Sequence, residues 1–508
     1  MTKSVTVGKM GMAKYDRNMW KGNRKMLFST KKLDPAYNNA SAFQIALFSL
    51  NSAATTLYLV LMEYVAYYVN GIVGFTVVFA SALLTALRVF DGLIDPMVGF
   101  IVDRSEGKFG KFRPFMVLGN ALMLISVFLM FNTTHLIPMI LRLPYFVFVY
   151  VIYVFGYTFQ MIVAKSGQTV MTDNPKMRPL VSYFDSLFVT SVYGGLALYA
   201  SAYLVPKYGG YTNPALFREF TLVVAALSIL CTVLGIIGIW NKDRPEYYNV
   251  GEKSKKIKLR DYWEVLRHNR PIRQLVLSAS VNRFTSTVYN NVTVGVMLFG
   301  IMMKNYPMAG QIGLVTILPN LVIVTLGVSI AQRIGQKHTY TIFMYAAIFF
   351  QGIMTIFLMA ADLTVISFSN LCGTTIAFMA IYIFLNGSKS VSNSIVVPMI
   401  ADCSDYEVYR SGLYVPGFMG ALFALVDQVI GALATIFVGG MVALIGFTDM
   451  LPQVEDKLTG ELAGITIFMY CIVPMIGWIF SLFVMHHYEL DKEKMQEINR
   501  KKCKNKED

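Results

Sequence analysis

The stretch Val78-Phe-Ala-Ser-Ala-Leu-Leu-Thr-Ala-Leu-Arg88-Val-Phe-Asp91-Gly-Leu-Ile-Asp95-Pro96-Met-Val-Gly99 is long enough to cross a bilayer, which takes about 20 mainly apolar residues. It nevertheless carries three charged side chains from its middle onward. A charge within a membrane span is costly to insert, so each is a functional candidate. Asp91 and Asp95 are four residues apart and therefore share one helical face. Pro96 has no N–H for the carbonyl of Gly92, which leaves that oxygen free beside the two carboxylates. Two carboxylates and a carbonyl make an oxygen-rich site for a small cation, or a pair that shares a proton. The plainer use is an ion pair with Arg88 or a neighbouring helix.

The chain around this stretch has the same character. Of its 508 residues 55% are hydrophobic and the mean hydropathy is +0.53, which leaves too little polar surface for a water-soluble particle. Apolar runs of membrane length recur from 45–69 to 463–486, and twelve are expected. The net charge of +14 would suit nucleic acid, but the basic residues alternate by loop. Those expected outside are Arg142, Lys207, Arg218, Lys304 and Lys457, with the great majority on the other side. The positive-inside bias then places both termini in the cytoplasm, in a multi-pass protein of the cell membrane with lipid but no nucleic acid as partner. The first 41 residues show no short apolar stretch with a small-residue cleavage site, so no removable signal is expected. Five scattered cysteines and five histidines form no metal-ligand spacing.

The longest polar break, from Asn241 to Pro271, divides the chain into two blocks of six spans. The expected organisation is a cytoplasmic segment 1–41, a six-helix bundle 42–240, a central loop 241–272, a second bundle 273–488 and a tail 489–508. Within the loop, Leu259, Tyr262, Trp263, Val265 and Leu266 alternate with Lys258, Arg260, Arg267 and Arg270, as in an amphipathic helix on an anionic leaflet or under the bundle. The loop Asp103-Arg104 through Gly110-Lys111-Phe-Arg113-Pro114 is weakly echoed by Arg333-Ile-Gly335-Gln-Lys337 in the second block. Such basic groups can hold carboxylates at opposing cytoplasmic ends as a breakable latch, or simply mark topology.

From Arg88 to Gly99, and on through Gly110-Lys111-Phe-Arg113-Pro114, the sequence resembles the glycoside-pentoside-hexuronide:cation symporters, the melibiose-permease family of the major facilitator superfamily. Asn269-Arg270-Pro271 and Asp402-Cys-Ser-Asp405-Tyr406-Glu-Val-Tyr-Arg410 extend the match to nearly the whole chain, about Asn39 to Tyr488. The resemblance implies an all-α membrane protein of twelve helices in two pseudo-symmetric bundles, with Asp91, Asp95 and Gly92 as the cation-coupling site. It implies a cytoplasmic gate at Asp103, Arg104, Lys111, Arg113, Asp402, Asp405 and Arg410. Sodium users of the family carry a polar residue where Ile94 stands, so a proton is favoured over Na+, with either ion open. The sugar-reading positions also depart. Acidic positions of helices one and four fall near Thr56 and on Met161, an aromatic position on Lys165, a basic one on Asp185, and a helix-eleven lysine on Gln428 beside Asp427.

Other charges within spans are Glu63, Lys165, Asp185, Arg283, Lys389 and Asp427, and all are substrate-binding candidates. Lys165 is expected to approach Asp91, Asp95 or Asp185, since an unpaired ammonium at that depth is expensive. Lodged between the two aspartates, it would mimic a bound cation and uncouple transport. Tyr64, Tyr67 and Tyr68 form an i, i+3, i+4 stripe that suits an interfacial belt or a ring-shaped solute. Asn282, Asn290, Asn291, Asn386 and Asn393 can bond a polyhydroxyl solute or join helices.

The function expected is cation-coupled symport of a glycoside or related small solute by alternating access, in a protein that works as a monomer without cofactor. The alternative is transport of a non-sugar organic solute, proton-coupled or uncoupled. No nucleophile with its base, cofactor motif or Walker loop suggests an enzyme or ATP-driven pump, and the tail is too short for a signalling domain.

Overall fold

The computed structural model describes residues 40–105, 109–172, 177–244, 267–411 and 416–498. The amphipathic segment expected at 258–266 lies outside these residues, as do most of the N-terminal segment and the end of the tail. The first six helices are α1 (Ala42–Gly71), α2 (Val77–Arg104), α3 (Arg113–Thr133), α4 (Met139–Ser166), α5 (Arg178–Leu198) and α6 (Pro214–Ile239). The next six are α7 (Arg270–Tyr289), α8 (Ile317–Ile334), α9 (Gln336–Ala360), α10 (Gly373–Ser411), α11 (Pro416–Leu444) and α12 (Gly460–His486). Each covers one of the twelve apolar runs. Local signals open several of them. Ser41 and Gln44 form a reciprocal capping box before α1, and Asn213 and Asn269 cap α6 and α7 with a proline in the first turn.

Among the described residues, nine helices are apolar and long enough to cross a membrane. Helices α2, α7 and α10 are not among the nine. These three carry Arg88, Asp91 and Asp95, then Arg283, then Lys389, charges within spans that need an explanation.

The helix neighbours repeat. In the first half α1 packs on α5 and α6, α3 on α4 and α6, and α2 on α4. Six helices later, α7 packs on α11 and α12, α9 on α10 and α12, and α8 on α10. The contacts between halves obey the same symmetry, α2 along α11 and α5 against Pro307–Val315, the segment that leads into α8. Small residues permit the approach: a Cβ on Gly310 would fall 2.3 Å from Leu198 Cα, and one on Gly439 would fall 2.0 Å from Ser81 Oγ.

The two echoed loops are built alike. Gly110 has φ +90°, and the N–H groups of Lys111, Phe112 and Arg113 at the start of α3 converge on the Asp243 carboxylate after α6, at 2.9, 3.0 and 2.9 Å. Arg113 Nε lies 3.3 Å from the same carboxylate, and its guanidinium stacks 4.6 Å from the Trp240 ring centroid. A Cβ on residue 110 would lie 2.2 Å from Asp243 Oδ2, which explains the glycine. In the second half Gly335 has φ +95°, and the chain after α12 again reaches this turn: Lys337 Nζ donates to Tyr488 O and Lys492 Nζ to Arg333 O. A short helix at 492–498 then packs Ile498 into the second bundle's core. Arg113 thus pairs within its own half rather than across to the other, and so does Arg410, which holds the buried Glu407 at 2.6 Å.

At the end away from residues 40 and 498, the halves are sealed by the connection between α11 and α12 and by Tyr211 and Tyr306, whose hydroxyls are 2.6 Å apart. Three π-helical turns, Tyr199–Leu204, Val296–Met302 and Phe468–Ile472, lie in this part of the bundle.

Candidate functional site

Helix α2 brings its two aspartates to the seam between the halves. Thr158 of α4 donates to Asp95 Oδ1 at 2.9 Å, and Gln428 Nε2 of α11 donates to Asp95 Oδ2 at 3.1 Å. Helix four therefore contributes from one half and helix eleven from the other. Gly92 is required by this contact, because a Cβ there would sit 2.5 Å from Gln428 Oε1. Asp91 lies half-buried on the same face, and its Oδ1 is buried without a hydrogen-bond partner among the described residues. An orphaned carboxylate oxygen beside a second carboxylate is unfavourable in a low-dielectric setting unless a cation or proton joins it. The donor set, carboxylate and hydroxyl oxygen with an amide at hand, fits a hard cation.

A second charge group flanks this pair. Arg88, one turn before Asp91, donates to Thr435 Oγ1 of α11 at 3.1 Å. Glu63 of α1 lies against the Tyr193 hydroxyl, with Arg88 and Arg283 as its nearest cations. Arg283 Nε of α7 is 3.3 Å from Asp427 Oδ2 of α11. The two side chains are 51% and 35% exposed, so the pair faces open space between the halves. Asp185 of α5 is half-buried, with the Ser52 hydroxyl beside it.

Several expectations need correction. Lys165 does not approach the aspartates or Asp185; it is exposed and makes no hydrogen bond or ion pair among the described residues. Its side chain escapes the cost of burial by staying exposed, so nothing in the structure places it as a cation mimic. Tyr64, Tyr67 and Tyr68 neither form an interfacial belt nor face a solute. All three are buried: Tyr64 against Tyr211 and Phe220, Tyr67 against Tyr211, and Tyr68 against Phe131 and Phe217. Thr56 is likewise buried, donating to Ser52 O at 2.8 Å. Lys389 is buried in the second half with no ion pair to a carboxylate among the described residues, its ammonium 3.3 Å from the Tyr289 ring centroid and 3.3 Å from Asn386 Oδ1.

Of the asparagines, Asn291 caps a helical turn by accepting from Thr293 N–H. Asn282 donates to Asn393 Oδ1 at 2.7 Å and accepts from Trp478 at 3.1 Å, which makes it a link between helices. Met161 is half-buried, as are Asp402 and Asp405 near the end of α10. Lys111 contributes its backbone N–H to the Asp243 cap, and the side chains of Asp103 and Arg104 lie outside the described residues. Sequence reasoning missed Thr158, an ordinary polar residue in an apolar helix, and Asp243, which looked like part of the solvated central loop.

Residues 48–492 match the family model described as MFS/sugar transport protein. The chain belongs to that family. It is a secondary transporter of the major facilitator fold, and not an enzyme. An uncharacterized symporter of Bacillus subtilis, YnaJ, is 23% identical over 450 residues, covering 88% of this chain and 91% of that protein. A glucuronide carrier protein homolog of Escherichia coli is 22% identical over 455 residues, covering 86% and 90%. Among solved structures, the xylose transporter XylE from Escherichia coli superposes with a TM-score of 0.55 at 14% identity, covering 89% of this chain and 98% of that one. The nucleoside transporter NupG superposes at 0.57 and 11%, covering 88% and 100%. These likenesses carry the fold. The family makes this chain a solute carrier, and its relatives include proteins named as symporters.

Proposed function

We propose that this carrier takes up a glycoside or related small solute together with a cation, H+ or Na+, held by Asp91 and Asp95 with help from Gly92, Thr158 and Gln428. The observation that carries this reading is the unpartnered Asp91 Oδ1 beside an Asp95 whose two oxygens are taken by Thr158 and Gln428. The solute lies between the halves against Arg283 and Asp427, with Glu63, Asp185, Met161 and Lys165 around it. The glucuronide and sugar carriers among its relatives support a polyhydroxyl solute.

In this reading both termini are cytoplasmic, the protein lies in the cell membrane and works as a monomer, and 42–240 and 273–488 are the two rocking units. The sealed end then faces outward and the cleft opens to the cytoplasm. Arg113 and Arg410, each paired within its own half here, form the cytoplasmic gate with Asp103, Arg104, Lys111, Asp402 and Asp405 when the carrier turns outward.

The test is thermal stability of the detergent-purified protein against glycosides and hexuronates, with and without sodium and across pH. A ligand at 100 times its dissociation constant stabilises by about 2.7 kcal/mol. A sugar-specific shift that sodium or acid enhances is the expected result. No shift with any sugar would overturn the glycoside reading in favour of a non-sugar organic solute.

A further inference from the structure

We propose that residues 447–456, between α11 and α12, form the outer gate of the carrier and that Asn70 is its latch. The word outer rests on the reading of the termini as cytoplasmic; the lid itself rests on contacts. The segment is joined covalently to the second half, but its polar anchors belong to the first. Asn70, near the end of α1, accepts from Leu451 N–H at 2.7 Å and donates to Asp449 O at 2.8 Å, and also donates to Phe75 O at 2.8 Å. Its amide pairs with the lid backbone as a neighbouring strand would, satisfying groups that would otherwise be buried alone.

Three further bonds cross the same boundary. Tyr67 donates to Pro452 O at 2.9 Å, Val77 N–H to Thr448 O at 3.0 Å, and Tyr211 N–H to Gln453 Oε1 at 3.3 Å. Asn70 is 3% exposed, and Leu451 and Pro452 are buried. Water therefore has little access to the Asn70 amide and to Leu451 and Pro452 while the lid is shut, although Thr448 and Asp449 stay exposed.

The lid also has a defined root and space behind it. Its root is Gly446, whose φ of +96° ends α11 in a glycine cap with Gly446 N–H on Ala443 O at 3.0 Å and Phe447 N–H on Val442 O at 3.4 Å. Val454 rides on Gly300 in the π-helical turn after α7, where a Cβ would already press at 3.3 Å. Behind Val454 and Glu455 lies a cavity of about 190 Å³, bounded by Ser201 and Gly210 of the first half and Lys304 and Pro307 of the second. The halves cannot part at this end with the Asn70, Tyr67, Val77 and Tyr211 bonds intact. Opening to the outside therefore requires the lid to leave the first half.

The test uses the full chain with its native cysteines replaced by serine. In intact cells carrying Leu451→Cys, a membrane-impermeant maleimide reports exposure of the lid. Adding Asn70→Ala is expected to speed labelling about tenfold or more, on the scale of its two lost lid hydrogen bonds; an unchanged rate overturns the latch. In proteoliposomes, Asn70→Cys with Leu451→Cys is expected to form a disulfide that stops uptake until a reductant restores it. A pair that cannot be bridged, or uptake that persists with the bridge closed, overturns the lid. The labelling arm needs no solute, so it stands even if the glycoside reading fails.

Discussion

Gln428 of α11 donates a 3.1 Å hydrogen bond to Asp95 of α2, so an amide from one half holds a carboxylate of the other at the candidate cation site. Two halves that rock apart cannot keep this bond unchanged. The proposed ion binding at Asp95 would thereby be linked to movement of α11 through a single side chain.

The aspartates and their donors have separable effects. Asp91→Asn and Asp95→Asn are expected to abolish ion enhancement of the solute-induced thermal shift. Thr158→Val removes one hydroxyl bonded to a charged group, a contribution of about 1.5–3 kcal/mol, so the ion response should shift about tenfold or more, toward more sodium if the ion is Na+ and toward less acid if it is H+. Gly92→Ala would press on Gln428 Oε1 and should change the ion response as Gln428→Ala does. An ion titration of thermal stability for each variant decides.

Arg283→Ala and Asp427→Ala should separate stability from transport. Their contact is a single 3.3 Å approach between partly exposed groups, and such pairs contribute about 0–1 kcal/mol to stability. Melting temperature without solute should hardly move, while uptake in vesicles falls sharply. A large loss of melting temperature would make the pair structural.

Asp243 is expected to behave in the opposite way. Its side chain is fully buried and holds three backbone N–H groups as well as Arg113. Asp243→Ala leaves those donors unpaired and should cost about 3–5 kcal/mol, by analogy with a broken buried pair. Gly110→Ala should also destabilise, because of both its positive φ and the 2.2 Å approach to Asp243. Thermal unfolding in detergent reads both.

Lys165→Ala should leave ion coupling intact. The ammonium is exposed and unpaired among the described residues, so its removal does not free the aspartates. Wild-type transport without ion movement in vesicles, with ion movement gained in the variant, would restore the cation-mimic role.

The twelve spans, their division into two sixes and the exceptional placement of Asp91 and Asp95 within a span were legible in the sequence. Lipid accepts only long apolar helices with internally satisfied backbones, and a carboxylate within one stands out at once. The repeat was visible too, in Gly110-Lys111 and Gly335-Gln-Lys337. Its physical content was not, because the partner that holds the first turn is Asp243, more than a hundred residues away.

Charge pairing was the least legible part. A one-dimensional reading sees that Lys165, Arg283, Lys389, Asp185 and Asp427 all need relief from burial, but not how each obtains it. Arg283 finds Asp427, Lys389 finds the Tyr289 ring and Asn386, and Lys165 finds open space. The tyrosines of α1 illustrate the same limit, since an i, i+3, i+4 stripe defines a face without saying what covers it.

By itself, then, the sequence determined the class, the number of spans and the residues that cannot be passive, because the cost of placing polar groups in lipid is local and additive along the chain. Only the tertiary structure decided which of those residues meet. Pairing across α2, α4 and α11, and the capture of the 447–456 segment by Asn70, depend on how two six-helix units lean together, and hydropathy carries no record of that angle.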